Sequence, residues 1–376
     1  MDVVSLLKIA KAKSASDLHM VVSSPPLMRL KGTLAPLDGK TPLTSLDTEV
    51  AFAQLTTPEE RADFDQLKEL DFSYAISGVG YFRCNAAMQK GFISLAIRLL
   101  APVVPTLDEL GLPEICKTLA LRKRGLVIIT GPTGSGKSTT LAAMIQHLNL
   151  NDHRHIITVE DPIEYVFKNV NCAITQRELG KDTVSFAEAL RHVLRQDPDV
   201  IMVGEIRDLD TAAAVLTIAE TGHLVLSTGH APSAPQAMER IIDLFPLHER
   251  SLAQTRLASL LVAVLCQTLV VRADGAGRVA AVEIMMGNTA VSNLLRDGKI
   301  YQLPNVIRTG REAGMISMDE ALKELYFKRL ITAESALAHS NDRDELAKLL
   351  GTPPVKSRRK QAAAAVNEPE TGLQLL

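Results

Sequence analysis

Residues 126–140 read LVIITGPTGSGKSTT. Leu126 to Thr130 is an apolar, mostly β-branched run of the length expected for a strand buried on both faces. It runs into GPTGSGKS, after which Thr139, Thr140 and Leu141 open a helical pattern. Strand, glycine-rich loop and helix start, in that order, are the setting in which G-x-x-x-x-G-K-[ST] signifies phosphate binding. Gly131, Gly134 and Gly136 allow tight turning, so successive backbone N–H groups and the helix N-terminus face a polyphosphate. Lys137 offers a point charge to the β- and γ-phosphates, and Ser138 offers a hydroxyl to Mg²⁺. Pro132, Thr133, Ser135 and Thr139 complete the expected binding loop. The alternative is a glycine-rich turn that matches by accident, and the correct flanks weigh against it. The expected ligand is a nucleoside triphosphate with Mg²⁺.

At 376 residues the chain is long for one domain, so two or three are expected. Its composition, 46% hydrophobic and 22% charged, is that of a globular protein with a substantial core. A formal net charge of −2 gives no general attraction to nucleic acid or anionic lipid. Cys84, Cys116, Cys172 and Cys266 are widely spread without a C-x-x-C pair, which argues against a zinc site and fits reduced thiols. The opening MDVVSLLKIAKAKSASDLH reads as an amphipathic helix carrying lysines rather than a signal peptide. The longest apolar run, Leu260 to Cys266, is far too short to span a bilayer. A cytoplasmic protein is expected.

Residues 1–100 read as a small α/β domain. A helix carrying Val3, Leu6, Leu7 and Ile9 precedes strand-like segments at Leu18 to Val22 and Leu27 to Leu30. Phe72 to Ile76 and Tyr81 to Arg83 flank Gly78 and Gly80, a hairpin signal. The three prolines of APVVPTLDELGLP place an interdomain linker at 101–113, about which two domains would move as rigid bodies. Residues 114–271 alternate apolar strands with helices, the signature of a mostly parallel sheet covered on both faces. Strands are expected at 126–130, 155–159, 200–203 and 224–228. Ser185 to Glu188 forms a capping box, and Asp208 or Asp210 caps a helix that Gly222 ends. Residues 272–350 are expected to be a helical C-terminal region and 351–376 a disordered tail.

Two further strand ends carry acids. ITVEDPIE leads from an apolar run to Glu160, Asp161 and Glu164, and DVIMVGEIRD leads through Gly204 to Glu205. In an open parallel sheet, ligands bind beyond the carboxyl ends of the strands, where these acids and the loop fall. One carboxylate can hold Mg²⁺ and another can orient or deprotonate the attacking water. Taken singly, each reads as a solvated loop acid; convergence on one edge reverses that. His223 and His230 bracket another apolar strand in TGHLVLSTGH, where either could sense or polarise the γ-phosphate, His230 being the stronger candidate.

The four segments GPTGSGKSTT, ITVEDPIE, DVIMVGEIRD and TGHLVLSTGH, in this order, resemble the motifs of the secretion ATPases of type II and type IV pilus systems. The nearest resemblance is to the PilT/PilU retraction motors. They correspond to that family's Walker A, Asp box, Walker B and His box. SDLHMVVSSPPLMRLKG resembles the opening of its N-terminal PAS-like domain, and LDELGLP, QRELGKDTVSFAEALRHVLRQDPDV and RIIDLFP also match. The resemblance covers about residues 1–330. It implies an α/β fold: an N-terminal PAS-like domain, a RecA-like P-loop ATPase domain and a helical C-terminal region.

The resemblance further implies that ATP is hydrolysed with Glu164 as base, that Glu205 coordinates Mg²⁺ through water, and that His230 contacts the γ-phosphate. Arg83 and Arg98 resemble arginines that reach the nucleotide of a neighbouring subunit in a homohexameric ring, whereas the sequence alone reads them as surface salt bridges. The implied partners are an inner-membrane pilus platform protein and a paralogous retraction ATPase. The implied location is the inner face of the bacterial inner membrane, with contact there only through proteins and none with nucleic acid. The departures concern Gly229 and Pro232 in the His box, and AVSNLLRD at 290–297 where PilT proteins carry an AIREL-like motif. The tail adds KSRRK at 356–360, a solvated segment or one that docks on an acidic partner. Altered motif and added tail favour the PilU-like accessory member, and the lack of a tetracysteine motif disfavours the assembly motors.

Overall fold

A computed structural model describes residues 2–30, 32–100 and 103–351. The expected disordered tail beyond Gly351, with its KSRRK segment, lies outside the described residues, as do residues 101 and 102 of the expected linker. The strands among the described residues are β1 (Asp17–Met20), β2 (Leu27–Leu30), β3 (Thr33–Pro36), β4 (Glu69–Ile76), β5 (Gly80–Gln89), β6 (Phe92–Leu99), β7 (Gly125–Thr130), β8 (His155–Glu160), β9 (Ala173–Glu178), β10 (Val200–Val203), β11 (Leu224–Thr228), β12 (Leu261–Val271) and β13 (Arg278–Met286). The chain forms two compact units, one of Met1–Pro105 with Asn149–Val193, the other of Thr106–Leu148 with Leu194–Leu376. Residues 149–193 thus pack with the N-terminal residues, although they follow the glycine-rich loop in sequence. Among the described residues no helix is long and apolar enough to cross a membrane.

In the first unit an antiparallel sheet runs β3-β2-β1-β6-β5-β4. The helix Val3–Ala12 starts where the Asp2 carboxylate accepts from the Val4 and Ser5 amides, and it buries Val3, Leu6, Leu7 and Ala10. Thr44 and Thr57 begin the helices Ser45–Leu55 and Pro58–Leu67 with capping boxes. These helices bring Phe52 and Phe64 to a ring separation of 4.7 Å, over a core that includes Phe72, Phe82, Cys84, Leu95 and Ile97. The glycine-flanked segments form the β4–β5 hairpin, with Ile76 opposite Gly80. The parallel pair β8–β9 belongs to this unit too.

In the second unit the strands run β13-β12-β7-β11-β10. β12, β7, β11 and β10 are mutually parallel, and every residue of β7, β10 and β11 is buried. That two-sided burial explains their unbroken apolar character. Asp208, not Asp210, caps the helix Leu209–Glu220 by accepting from the Thr211 amide. One expectation is corrected: the C-terminal region is not helical from its start, because Arg278–Met286 is β13, antiparallel to β12 from Ala263/Met286 to Val271/Arg278. Val279, Ala281, Val282, Ile284 and Met285 are buried there, and the long partner strand β12 supplies the ladder that holds them extended. Helices Thr289–Arg296, Leu303–Thr309, Met318–Phe327, Ala333–His339 and Arg343–Leu350 follow.

Candidate functional site

Parallel pairing places the carboxyl ends of β7, β11 and β10 side by side, Ser227 opposite both Val203 and Ile128. Three loops therefore leave one edge: the glycine-rich loop after β7, the Glu205 turn after β10 and the His230 turn after β11. They are stitched together. Gly229 donates to the Ile129 carbonyl at 2.9 Å, the Ile206 amide to Thr228 at 3.2 Å, and the Ala231 amide to Thr130 Oγ1 at 2.8 Å. Thr130 Oγ1 in turn donates to the Ala231 carbonyl at 2.8 Å.

Within the loop, Gly131 and Gly136 have φ of +140° and +89°, and a Cβ at either would fall 2.2 Å from the Gln267 carbonyl or 2.9 Å from Gln267 Nε2. Only glycine fits there. Lys137 is buried, its Nζ donating to the Gly131 and Pro132 carbonyls at 2.9 and 3.1 Å. Pro132, Thr133, Gly134 and Ser138 are exposed along the crest. Ser135 Oγ is buried without a hydrogen-bond partner, an orphaned donor that a phosphate oxygen would satisfy.

His230 Nε2 lies 2.7 Å from Glu205 Oε2, and Arg207 pairs with the other carboxylate oxygen. Burial, with the positive charges of Lys137, Arg240 and Arg207, lowers the His230 pKa below its ordinary value. In the neutral imidazole that this shift favours, Nε2–H can donate to the Glu205 carboxylate. No cluster of three or more His, Cys, Asp or Glu suited to a metal exists among the described residues. One hydroxyl and one carboxylate fit Mg²⁺ held mainly by phosphates and water, not a closed protein cage. His223 does not share the edge. It precedes β11, its Nδ1 lying 3.0 Å from Thr221 Oγ1 and 3.2 Å from the Ile218 carbonyl, a helix-end contact at the strand's opposite end. Gly229 is not in the left-handed region, and a Cβ there would meet Thr130 Oγ1 at 3.4 Å, so the site does not require glycine at 229.

Glu164, Arg83 and Arg98 belong to the first unit. Arg83 and Arg98 are register partners on β5 and β6, and Arg98 is the register partner of Asp17 on β1. Asp17, 9% exposed, accepts from Arg98 Nε at 3.0 Å, and Arg29 Nε lies 3.5 Å away. Arg98 thus carries an ion pair within its own sheet, and the row of alternating side chains projects from the face opposite buried Phe82 and Cys84. After β8, the loop bearing Glu164 is pinned by hydrogen bonds. Ile163 donates to Glu178 Oε2 at 3.0 Å, Phe167 to Gln176 Oε1 at 2.9 Å, and Gln176 Nε2 to the Tyr165 carbonyl at 2.8 Å. Glu160 accepts from Thr158 Oγ1 at 2.7 Å and from Gln176 Nε2 at 3.0 Å, and burial pushes its pKa up to about 7.

The family described as "Type II/IV secretion system protein" matches residues 90–342. The chain belongs to this family. Among its relatives, this secretion-system protein is 43% identical over 336 residues to the type IV pilus retraction ATPase PilT of Pseudomonas aeruginosa, covering 89% of this chain and 97% of PilT. It is 42% identical over 346 residues to the type IV pilus ATPase PilU of the same organism, covering 92% and 90%. A solved structure of the pilus retraction motor PilT with bound ADP superposes with a TM-score of 0.86 at 40% identity, covering 93% of this chain and 99% of that one. The family fold and the PilT/PilU resemblance read from the four motifs are thus correct.

Sequence reasoning missed the residues that brace this family member's loops. Gln267 of β12 donates to the Ser135 carbonyl at 2.7 Å and accepts from Thr140 Oγ1 at 2.8 Å, clamping the glycine-rich loop from the neighbouring strand. Glu283 of β13, buried and with its pKa raised by that burial, accepts from the Ala234 amide at 2.8 Å and anchors the helix after His230. Polar side chains inside two mainly apolar strands, Gln267 in β12 and Glu283 in β13, are the available signal.

Proposed function

We propose that the chain hydrolyses ATP in a cytoplasmic homohexameric motor that powers type IV pilus retraction and twitching motility. The observation that carries this is the shared edge of β7, β11 and β10, where Lys137, the orphaned Ser135 hydroxyl and the His230–Glu205 pair come together. The loop amides and Lys137 hold the polyphosphate, and His230 contacts the γ-phosphate. Ser138, and Glu205 through water, would hold Mg²⁺, which would supply positive charge against the phosphate oxygens. Water attacks the γ-phosphorus as Glu164 takes its proton, the bond from γ-phosphorus to the bridging oxygen breaks, and ADP and phosphate leave. Arg83 and Arg98 complete the site of a neighbouring subunit.

In this reading residues 1–100 form the PAS-like domain, 101–113 the hinge, 114–271 the ATPase core, 272–350 the C-terminal region and 351–376 a tail. Motion about the hinge is passed to an inner-membrane platform protein. Lys137→Ala in the chromosomal copy, with any paralogous motor intact, tests it: lost retraction supports an active motor, and full retraction overturns it. AVSNLLRD at 290–297 favours a second reading, an accessory PilU-like motor that works beside a PilT-type partner. Deletion alone and beside the paralogue separates the two, since a primary motor leaves surplus non-retracting pili and an accessory one weakens retraction only under load.

A further inference from the structure

The loop bearing Glu164 is held from both sides by β9. Gln176 receives the Phe167 amide and donates to the Tyr165 carbonyl, and Glu178 Oε2 receives the Ile163 amide at 3.0 Å. The other oxygen of Glu178 does different work: it accepts from Ser73 Oγ on β4. Lys181 reinforces the junction, its Nζ donating to Ser73 Oγ at 2.8 Å and to the Ser73 carbonyl. Glu178 is itself oriented, for its amide donates to Asp182 Oδ2 at 2.8 Å, and its side chain is buried. Ser73 is not an arbitrary anchor. It is the register partner of Arg83, Arg83 that of Arg98, and Arg98 that of Asp17, so one cross-strand row runs through β4, β5, β6 and β1. Register partners project on the same face, which sets Ser73 at the end of the arginine row.

We propose that Glu178 is a positioning residue that ties the Glu164 loop to the arginine-bearing sheet, one carboxylate oxygen on the Ile163 amide and the other on Ser73. This rests on the reading of Glu164 as the base. The tie fixes where the base stands relative to the strand carrying Arg83, so a displacement of β4 moves the base with it or breaks the Ser73 contact and frees the loop. Proton abstraction needs the base within hydrogen-bond reach of the attacking water, and a loosened loop loses that placement without losing nucleotide affinity. The signature is therefore in kcat and not in KM.

The test uses the full chain with Ser73→Ala, Glu178→Ala and Glu178→Gln, reading steady-state ATPase kinetics and hydrogen exchange of the 161–168 amides. Ser73→Ala and Glu178→Ala are expected to lower kcat about 5- to 50-fold with KM for ATP within about twofold. Exchange at Ile163 is expected to rise about tenfold in the same two variants. Glu178→Gln keeps an acceptor for Ile163 and a donor toward Ser73 Oγ, so it should remain within about threefold of wild type. Ser73→Ala removes one hydroxyl at a half-buried strand position and keeps the test open if Glu178→Ala does not fold. Wild-type turnover by Glu164→Gln would overturn the base reading and this proposal with it. Lost turnover in Glu164→Gln, alongside normal kcat and normal exchange in Ser73→Ala and Glu178→Ala, would overturn this proposal alone. Equal losses in Glu178→Gln and Glu178→Ala would also overturn it.

Discussion

Gln267→Ala cuts the brace that β12 gives the glycine-rich loop. Gln267 is 3% exposed, and its amide serves two buried partners, the Ser135 carbonyl at 2.7 Å and the Thr140 hydroxyl at 2.8 Å. Alanine removes both contacts at once. A buried polar group left without a partner costs about 1–3 kcal/mol, so two orphaned groups give a destabilisation of about 2–6 kcal/mol. The effect on the ligand site follows from place: Ser135 and Thr140 flank Gly136 and Lys137, so the loop loses the scaffold that keeps its amides convergent. Urea unfolding of wild type, Gln267→Ala, Thr140→Val and the double variant measures the loss. The double-mutant cycle should give a coupling of about 1 kcal/mol between positions 140 and 267. Equilibrium binding of a fluorescent ATP analogue should weaken in Gln267→Ala by about tenfold or more, from the lost preorganisation. An unchanged unfolding midpoint with zero coupling, or unchanged affinity in a destabilised variant, would refute the reasoning.

Burial raises the Glu160 pKa from 4.5 to about 7, so between those values the folded chain holds a proton that the unfolded chain has released. Its contribution therefore falls as pH rises through that window, by roughly 3 kcal/mol in all, and is flat above it. Urea midpoints at pH 5 to 8 should show a gentler decline in Glu160→Gln, and identical slopes would contradict the assignment. The thiols of Cys84, Cys116 and Cys266 are buried and pushed up to about 12, so an aromatic disulfide reagent at pH 8 should label them only as fast as the chain opens. Immediate labelling of three thiols in the native protein would show that the burial is wrong.

The parts of the site legible in the sequence are those written contiguously. The apolar run of β7, the glycines and Lys137 occupy one short segment, and Glu205 and His230 follow directly on β10 and β11. A strand buried on both faces advertises itself, and a parallel sheet turns strand ends into one edge. What stayed hidden depends on partners distant in the chain. Gln267 meets Thr140 across 127 residues, Asp17 meets Arg98 across 81, and Glu283 meets the Ala234 amide across 49. β13 escaped notice because its conformation is decided by pairing with β12, not by a period of its own. TGHLVLSTGH offers both His223 and His230, with His230 the stronger candidate, and the five strand residues between them carry them to opposite ends of β11. Chain direction, once the strand was recognised, already separated them.

The central claim is that the chain turns over ATP with Glu164 as base, and single-turnover hydrolysis by Glu164→Gln tests it most directly. Glutamine keeps the shape and the loop contacts of its neighbours Ile163 and Tyr165 but cannot accept the proton from water. ATP affinity should stay within about threefold of wild type while the hydrolysis rate falls by about 10²- to 10⁴-fold. Hydrolysis by Glu164→Gln at the wild-type rate would contradict it.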